Sequence, residues 1–360
     1  MSVRAAVVGL GWAGRELWLP RLTGHADFDV VAAVDPAPAA RAAGDAAPDV
    51  PVHPTVDALT ARAVDLAVVA VPNHLHTEVA ARLLRRGISV FLEKPVCLSS
   101  AEADTLAAAE RDGGATLLAG SAAPHRGDVA ALVRLLPELG RIRHVDLSWV
   151  RARGIPQAGG WFTQRSKAGG GVLFDLGWHL LDTLASLLGP ARFTQVVGAT
   201  SNDFVGTGAW SAAWRQDGPA AGAAGDVEDT ARGFLVRDDG VSVCLGAGWA
   251  SHEARDVTRI QVAGSAATAE LTCTFGFSPN RHPHPRLTLT REGTTTSLPV
   301  PDEPIGTEYR RQLDGLAAAL ADPGRRGRAV GEARTTVRVI EEFYASARRA
   351  HERTAVPAHH

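Results

Sequence analysis

Residues 3–14, VRAAVVGLGWAG, decide the fold of the chain's first half. VRAAVVG is an apolar, β-rich run, which breaks at Gly9 into GLGWAG; RELWLPRL then continues with helical spacing. Strand, glycine turn and helix in this order open a doubly wound α/β domain. Gly9, Gly11 and Gly14 match G-x-G-x-x-G: the first glycine makes the turn, the second lets a pyrophosphate approach the backbone, and the third lets helix pack on strand. Phosphates bound there would sit on a helix N-terminus, where backbone N–H groups converge. Taken alone, such a turn also occurs for packing reasons only.

The following strand, FDVVAAVDP, ends in Asp35, about 20 residues past the glycines, where a carboxylate can accept both ribose hydroxyls. It would repel a 2′-phosphate, and Pro36 rather than Ser or Arg comes next. NAD is therefore expected, with NADP as the alternative that Arg41 would favour. Two more strands follow. VDLAVVAV, with the strand over 65–71, turns at Pro72 and Asn73 into a helix ending near Gly87, and ISVFLEKP ends in Glu93, Lys94 and Pro95. Both loops fall at strand C-termini, the edge at which open α/β sheets bind ligands. Lys94 stands out because Lys167 is the only other lysine in the chain. A lysine can share a proton in a way that arginine cannot.

The 360 residues suit two domains. Residues are 45% hydrophobic and 21% charged, with the apolar ones in short runs, as in a globular protein. No continuous run reaches the roughly 18–20 apolar residues of a membrane span, and the opening reads as strand and turn rather than signal peptide. A cytoplasmic protein is expected. Net charge is −2, from 37 basic and 39 acidic residues without a basic stripe, which argues against nucleic-acid and membrane partners. Cys97, Cys244 and Cys273 are odd in number, far apart and form no CxxC, so they read as reduced thiols. His74 with His76, and His282 with His284, lack a clearly placed third ligand, and no metal site is expected.

A domain boundary is expected near residue 120, dividing the chain into 1–120 and 121–360. From residue 141 the pattern becomes alternating or β-rich with turn signals such as Asp239-Gly240, predicting a large, mostly antiparallel sheet. Residues 201–226 read as a surface excursion, and EARTTVRVIEEFYASARRA as a closing helix. Within this half, AGGGVLFDLGWHLLD (168–182) predicts a helix with Leu176, Leu180, Leu184 and Leu187 or Leu188 as its buried stripe, stopped by Gly189-Pro190. Asp175, His179 and Asp182 share another face. A histidine can give or take a proton near neutral pH, and a carboxylate one turn away can hold its orientation. The glycines ahead of the helix offer a place for a ligand at its N-terminus. An ion-paired histidine on a solvated helix face is the plainer reading of the same residues.

GLGWAG with Asp35, PNHLH (72–76), EKP (93–95) and AGGGVLFDLGWHLLD together resemble the Gfo/Idh/MocA family of sugar and cyclitol dehydrogenases, as do VEDTARGFLVRDDG (227–240) and GEARTTVRVIEEFYASAR over the rest of the chain. The resemblance implies a Rossmann domain followed by an α/β domain whose open sheet forms a homodimer or homotetramer contact, with the active site between the domains. It implies Lys94, Asp175 and His179 as the catalytic set. Cofactor contacts would come from Gly9, Gly11, Trp12, Ala13, Gly14, Asp35, Pro72, Asn73, His76, Glu93 and Lys94. Substrate would meet Lys94, Arg153, Trp161, Lys167, Asp175, Trp178 and His179. Two positions depart from the family: Trp178 is bulkier than expected, reading as a pocket wall or as helix packing, and APHRGDV leaves His125 and Arg126 as substitutes for the usual substrate contacts.

The expected activity is hydride transfer between NAD(H) and a secondary alcohol or ketone of a sugar, cyclitol or sugar-bearing metabolite, with a place in secondary metabolism. An NAD-dependent glycosidase of the same architecture and a non-catalytic NAD-binding regulator are the alternatives.

Overall fold

The computed structural model describes residues 2–38, 50–156, 159–206, 210–212 and 225–355. Arg41 and much of the 201–226 excursion lie outside them. The chain forms two compact units: Met1–Ser121 with Arg310–Arg334, and Ala122–Tyr309 with Thr335–His360. Residues 310–334 thus belong to the first unit, a return that a single division at residue 120 does not include.

The first unit is built on a six-stranded sheet: β1 (Val3–Val8), β2 (Phe28–Val34), β3 (Val52–His53), β4 (Leu66–Val69), β5 (Ser89–Leu92) and β6 (Leu117–Ala119), in the order β3-β2-β1-β4-β5-β6. Every pair is parallel. Ala5, Ala6, Val7, Leu66, Ala67, Val68 and Val69 have no exposure, as the uninterrupted apolar runs require for strands covered on both faces. The order reverses between β1 and β4, so the loops after these strands open side by side at the C-terminal edge, a crevice that binds ligands in doubly wound sheets. The returning segment is tied in by Gln312, whose side-chain amide donates to the Ala119 carbonyl at 3.1 Å, and by the Gly327 N–H, which donates to buried Glu110 at 2.9 Å.

The second unit carries an eight-stranded sheet in the order β14-β13-β12-β11-β7-β10-β9-β8. The strands are β7 (Ile142–Val150), β8 (Phe193–Ser201), β9 (Thr230–Arg237), β10 (Ser242–Gly248), β11 (Val257–Gly264), β12 (Thr268–Cys273), β13 (Arg286–Arg291) and β14 (Thr294–Leu298). Among the described strands of this sheet, only the neighbours β7 and β10 pair in parallel. Side chains alternate along β7: Val145, Leu147 and Trp149 are buried, while His144, Asp146 and Ser148 lie half-buried on the opposite face.

Against the buried face packs the helix Trp178–Leu188, entered through a wide turn at Leu173–Gly177. Leu176, Leu180, Leu184 and Leu187 form its buried stripe, so the last position is Leu187 and not Leu188. The span Arg165–Leu188, two helical segments joined by bends at Gly169–Gly171, is long and apolar enough to cross a membrane by length and composition, with mean hydropathy 1.2. However, 78% of its apolar window is buried within the protein, as in a core helix. Asp175, His179, Asp182 and Thr183 interrupt its apolar residues, so no unbroken run marks it in the sequence.

Candidate active site

In the first unit the glycine turn has the shape a dinucleotide needs. Gly9 sits at φ 92°, and a Cβ there would lie 2.7 Å from the Ala70 carbonyl oxygen, so only glycine fits. A Cβ on Gly14 would lie 1.8 Å from the Gly9 carbonyl oxygen, the close helix-on-turn approach that the third glycine permits. A Cβ on Gly11 would meet nothing within 4 Å. Its backbone borders open space that a pyrophosphate can enter. Asp35 lies at the end of β2 and accepts from the Leu10 N–H at 2.8 Å and the Ala37 N–H at 2.8 Å. The carboxylate is thereby fixed to the glycine turn before any ribose arrives. Trp12 and Ala13, which follow Gly11, are half-buried.

At the end of β5, Glu93 is held by the Trp18 indole, which donates to its Oε1 at 2.7 Å, while its Oε2 accepts from the Lys94 N–H at 3.0 Å. Trp18 is itself fully buried edge-on to Phe91 at 4.8 Å. Glu93 therefore shapes the loop that carries Lys94, and the Lys94-Pro95 peptide bond in this loop is cis. Pro72 and Asn73 follow β4, with Asn73 buried. His76 departs from its expected role. It is 1% exposed, with Nδ1 2.7 Å from the Pro95 carbonyl and Nε2 2.8 Å from the Val71 carbonyl. Burial pushes its pKa down to about 4 against the pull of those carbonyls. Both ring nitrogens face backbone carbonyls, of which a neutral imidazole can donate to one, so His76 packs between the Pro72 and Lys94 loops and does not present itself to a cofactor.

In the second unit, Asp175 lies in the wide turn that opens the helix Trp178–Leu188 and is 5% exposed. The Trp249 indole donates to its Oδ2 at 2.9 Å, and the Arg151 guanidinium stands 3.7 Å from the same oxygen. Arg151 also lies over the Trp149 ring at 5.2 Å, and Trp149 packs against the His179 imidazole at 5.6 Å. Asp175 and His179 thus share one aromatic and cationic surround, with His179 half-buried and Asp175 within. Arg151 and Trp249 were not singled out from the sequence. Arg151 directly follows the strand and continues the inward set Val145, Leu147, Trp149; Arg153 has the same parity but lies further past the strand end and is exposed, with its guanidinium over Trp210 at 5.5 Å.

The helix N-terminus is already occupied by Glu228, 4% exposed, whose Oε1 accepts from the Gly171 N–H at 3.0 Å, the Leu173 N–H at 3.1 Å and the Tyr344 hydroxyl at 2.6 Å. A Cβ on Gly171 would lie 1.9 Å from the Glu228 carbonyl oxygen, and one on Gly170 would lie 2.0 Å from the Tyr344 oxygen. The glycines therefore admit a protein carboxylate, and the expectation of a ligand at this terminus is corrected: its donors are taken.

Other expected substrate residues divide. Trp161 is half-buried against Phe162 at 4.6 Å, and Phe162 in turn lies 6.2 Å from Trp249, which places this loop in the aromatic surround of Asp175. Lys167 is exposed in the short helix Arg165–Ala168. Trp178 is 2% exposed and packs into the core, not into a pocket. Arg126 does not stand in for a substrate contact: its guanidinium pairs with Asp128 at 2.6 Å and lies 4.3 Å over Phe275. Its charge is held by that carboxylate and by Glu308.

Residues 3–121 match the oxidoreductase family with NAD-binding Rossmann fold, Gfo/Idh/MocA, and residues 137–270 match the Gfo/Idh/MocA C-terminal domain. The chain is 74% identical over 359 residues, all of both proteins, to a candidate UDP-kanosamine synthase oxidoreductase subunit of Amycolatopsis mediterranei (strain S699). It is 29% identical over 190 residues to inositol 2-dehydrogenase of Rhizobium meliloti (strain 1021), covering 52% of this chain and 56% of that one. The fold matches the crystal structure of GenD2 from gentamicin A biosynthesis in complex with NAD, with TM-score 0.76, 24% identity, and 97% and 95% of the two chains covered. An aldose-aldose oxidoreductase from Caulobacter crescentus has the same fold, with TM-score 0.76, 21% identity, and 97% and 98% covered. The chain belongs to the Gfo/Idh/MocA family, as an NAD(P)-dependent oxidoreductase acting on CH–OH or ketone groups of sugar- or cyclitol-related substrates.

Proposed function

We propose that the chain oxidises the 3-hydroxyl of a UDP-hexose with NAD, making a 3-keto sugar nucleotide for an amine-transferring partner. The observation that carries this reading is the 74% identity, over the whole of both chains, to the UDP-kanosamine synthase oxidoreductase subunit candidate. Kanosamine bears an amine where glucose bears its 3-hydroxyl. Exchanging a hydroxyl for an amine passes through a ketone, which is the part an oxidoreductase supplies.

Gly9, Gly11 and Gly14 would hold the cofactor's pyrophosphate and Asp35 its ribose, with Trp12, Ala13, Pro72, Asn73, Glu93 and Lys94 lining the same edge. Bound there, the nicotinamide supplies hydride acceptance and donation. Asp35 favours NAD because its fixed carboxylate would oppose a 2′-phosphate. In the oxidative direction His179 removes the hydroxyl proton as general base, and the Lys94 ammonium stabilises the negative charge developing on that oxygen. Asp175, anchored by Trp249 and Arg151, orients His179 and the substrate hydroxyl. Trp161, Arg153 and Lys167 would contact the sugar nucleotide. The reverse reaction uses the same groups in the opposite order.

We further place the protein in the cytoplasm, as a homodimer or homotetramer formed on the open face of the large sheet. There the paired Val197 and Phe234 are 59% and 43% exposed, an apolar cost that an interface removes. The two domains are assigned as a cofactor domain, residues 1–120, and a substrate domain, residues 121–360, apart from the returning segment 310–334.

The test is to incubate the purified protein with UDP-glucose and NAD, follow NADH at 340 nm, and identify the product by mass after borohydride or amine trapping. NADH formation with a product two mass units below the substrate is expected. A protein that binds NADH and turns over free sugars or inositols, but not UDP-hexoses, would remove the nucleotide-sugar reading.

A further inference from the structure

A cluster unrelated to hydride transfer lies on the other face of the large sheet. His144 and Asp146 project from β7 and Cys244 from the adjoining β10, all half-buried. The parallel ladder sets Cys244 directly opposite Asp146, and Ser242 opposite His144. One nitrogen or oxygen or sulfur atom from each of His144, Asp146 and Cys244 lies within 4.8 Å of the other two, and His144 Nε2 is 3.0 Å from Asp146 Oδ2. We propose that His144, Asp146 and Cys244 bind one zinc-class divalent cation on the face proposed above for contact between copies, with water as the fourth ligand in the single chain.

The donor set selects the cation. Imidazole nitrogen, thiolate sulfur and carboxylate oxygen together suit zinc, whereas magnesium and calcium take oxygen alone. Zinc–ligand bonds of about 2.0–2.3 Å place tetrahedral donors roughly 3.3–3.6 Å apart, so the observed positions need only small side-chain movements to close on an ion. The backbone that bears them is the rigid centre of the sheet, with β11 and β9 flanking β7 and β10.

The hydrogen bonds behind the imidazole already have the arrangement a metal ligand uses. His144 Nδ1 lies 2.8 Å from the Ser242 hydroxyl, which itself donates to the Arg143 carbonyl at 3.3 Å. With the Ser242 proton committed to that carbonyl, its oxygen accepts the proton from Nδ1. At 3.0 Å from a carboxylate oxygen, Nε2 is placed as a donor to Asp146, and a cation binding between the two would take the place of that proton while Ser242 holds the other ring nitrogen. Fixing the ring through its other nitrogen is the usual support of a metal-bound histidine.

Parity separates this site from catalysis. Trp149, on the buried face of β7, touches His179, while His144 and Asp146 occupy the alternate positions on the opposite face. The cation therefore braces the sheet and takes no part in hydride transfer.

Full-length protein stripped with chelator and dialysed would be titrated with cobalt(II) chloride. Expected are a near-ultraviolet thiolate-to-cobalt charge-transfer band and intense visible bands of a tetrahedral ion, saturating at one cobalt per chain and lost on adding zinc. Cys244→Ser should abolish the charge-transfer band, His144→Ala should abolish saturable binding, and Ser242→Ala should weaken it by about 10–100-fold. All three should retain NADH binding, which also reports that they are folded. Absence of the band in the stripped parent protein at saturating cobalt, or a band undiminished in Cys244→Ser, overturns the proposal.

Discussion

Glu228 gives the sharpest test of how the catalytic helix is held. Its buried carboxylate accepts from two backbone N–H groups and the Tyr344 hydroxyl, and pairs with half-exposed Arg165 at 3.3 Å. Glu228→Gln keeps the shape and removes the charge. Hydrogen bonds to a charged acceptor contribute about 1.5–3 kcal/mol each and neutral ones about 1 kcal/mol, so three weakened bonds cost about 1.5–6 kcal/mol. The Arg165 pair adds little because that side chain is solvated. Glu228→Ala goes further, leaving the Gly171 and Leu173 amides and the Tyr344 hydroxyl buried without this acceptor, and should cost more than Glu228→Gln, at about 3 kcal/mol or above. Urea unfolding followed by tryptophan fluorescence measures both, with the denaturant slope confirming that the same surface is exposed. Tyr344→Phe completes a double-mutant cycle, and its coupling to Glu228→Gln should be favourable. If Glu228→Gln and Glu228→Ala both unfold within about 0.5 kcal/mol of the parent, as surface substitutions do, the carboxylate is not what secures this helix.

Four further outcomes are expected. Lys94→Ala and His179→Ala should each lower kcat by about 10²–10⁴-fold, with NADH affinity unchanged in His179→Ala and changed far less than kcat in Lys94→Ala; full activity in both would remove the assigned chemistry. Gly11→Ala should fold normally and bind NADH weakly, because its new Cβ enters the space assigned to the pyrophosphate, whereas Gly14→Ala should destabilise the first unit through its clash with the Gly9 carbonyl. Thermal melts and cofactor titrations separate the two, and equal effects on both would contradict the assignment. Asp35→Ala should shift affinity from NADH towards NADPH and loosen the Leu10 turn, an outcome read by paired titrations. Trp249→Phe removes the indole donor from Asp175, and should lower kcat more than it raises KM if Asp175 acts in the transition state.

The first unit was largely legible because its signals are local. One strand, three glycines and an acidic residue at the next strand end need no knowledge of distant contacts, and the structure brings Asp35 to the glycine turn through the Leu10 N–H. The residues that support them were not legible. Trp18 reaches Glu93 across 75 positions, and His76 meets Pro95 only because β4 and β5 are neighbours. PNHLH reads as a cofactor loop in either case; burial alone shows that its histidine faces inward. In the second unit the sequence reading located Asp175 and His179 by their one-turn spacing. It could not locate Trp249 or Glu228, which come to the helix from β10 and from the start of β9. Glycines 169–171 pointed to something close at the helix N-terminus, and whether that was a ligand or a carboxylate from the same chain is a tertiary fact.

The same reasoning explains how β7 serves two ends. Val145, Leu147 and Trp149 face the catalytic helix, and Arg151 extends that series to Asp175, while His144 and Asp146 face away towards Cys244. A strand's period is two, so slipping this one by a single residue would exchange the sets, burying Asp146 under the helix and turning Trp149 outward. Both ladders oppose such a slip. β10 pairs with β7 without interruption from Ser242 to Gly248, and β11 pairs from the other side with its one irregularity at Ala263/Gly264, beyond the residues that matter. The placement of Arg151 against Asp175 therefore follows from the pairing of the whole central sheet. Substitutions on the open face, including those at the proposed cation site, should leave the catalytic helix in place as long as that pairing is kept.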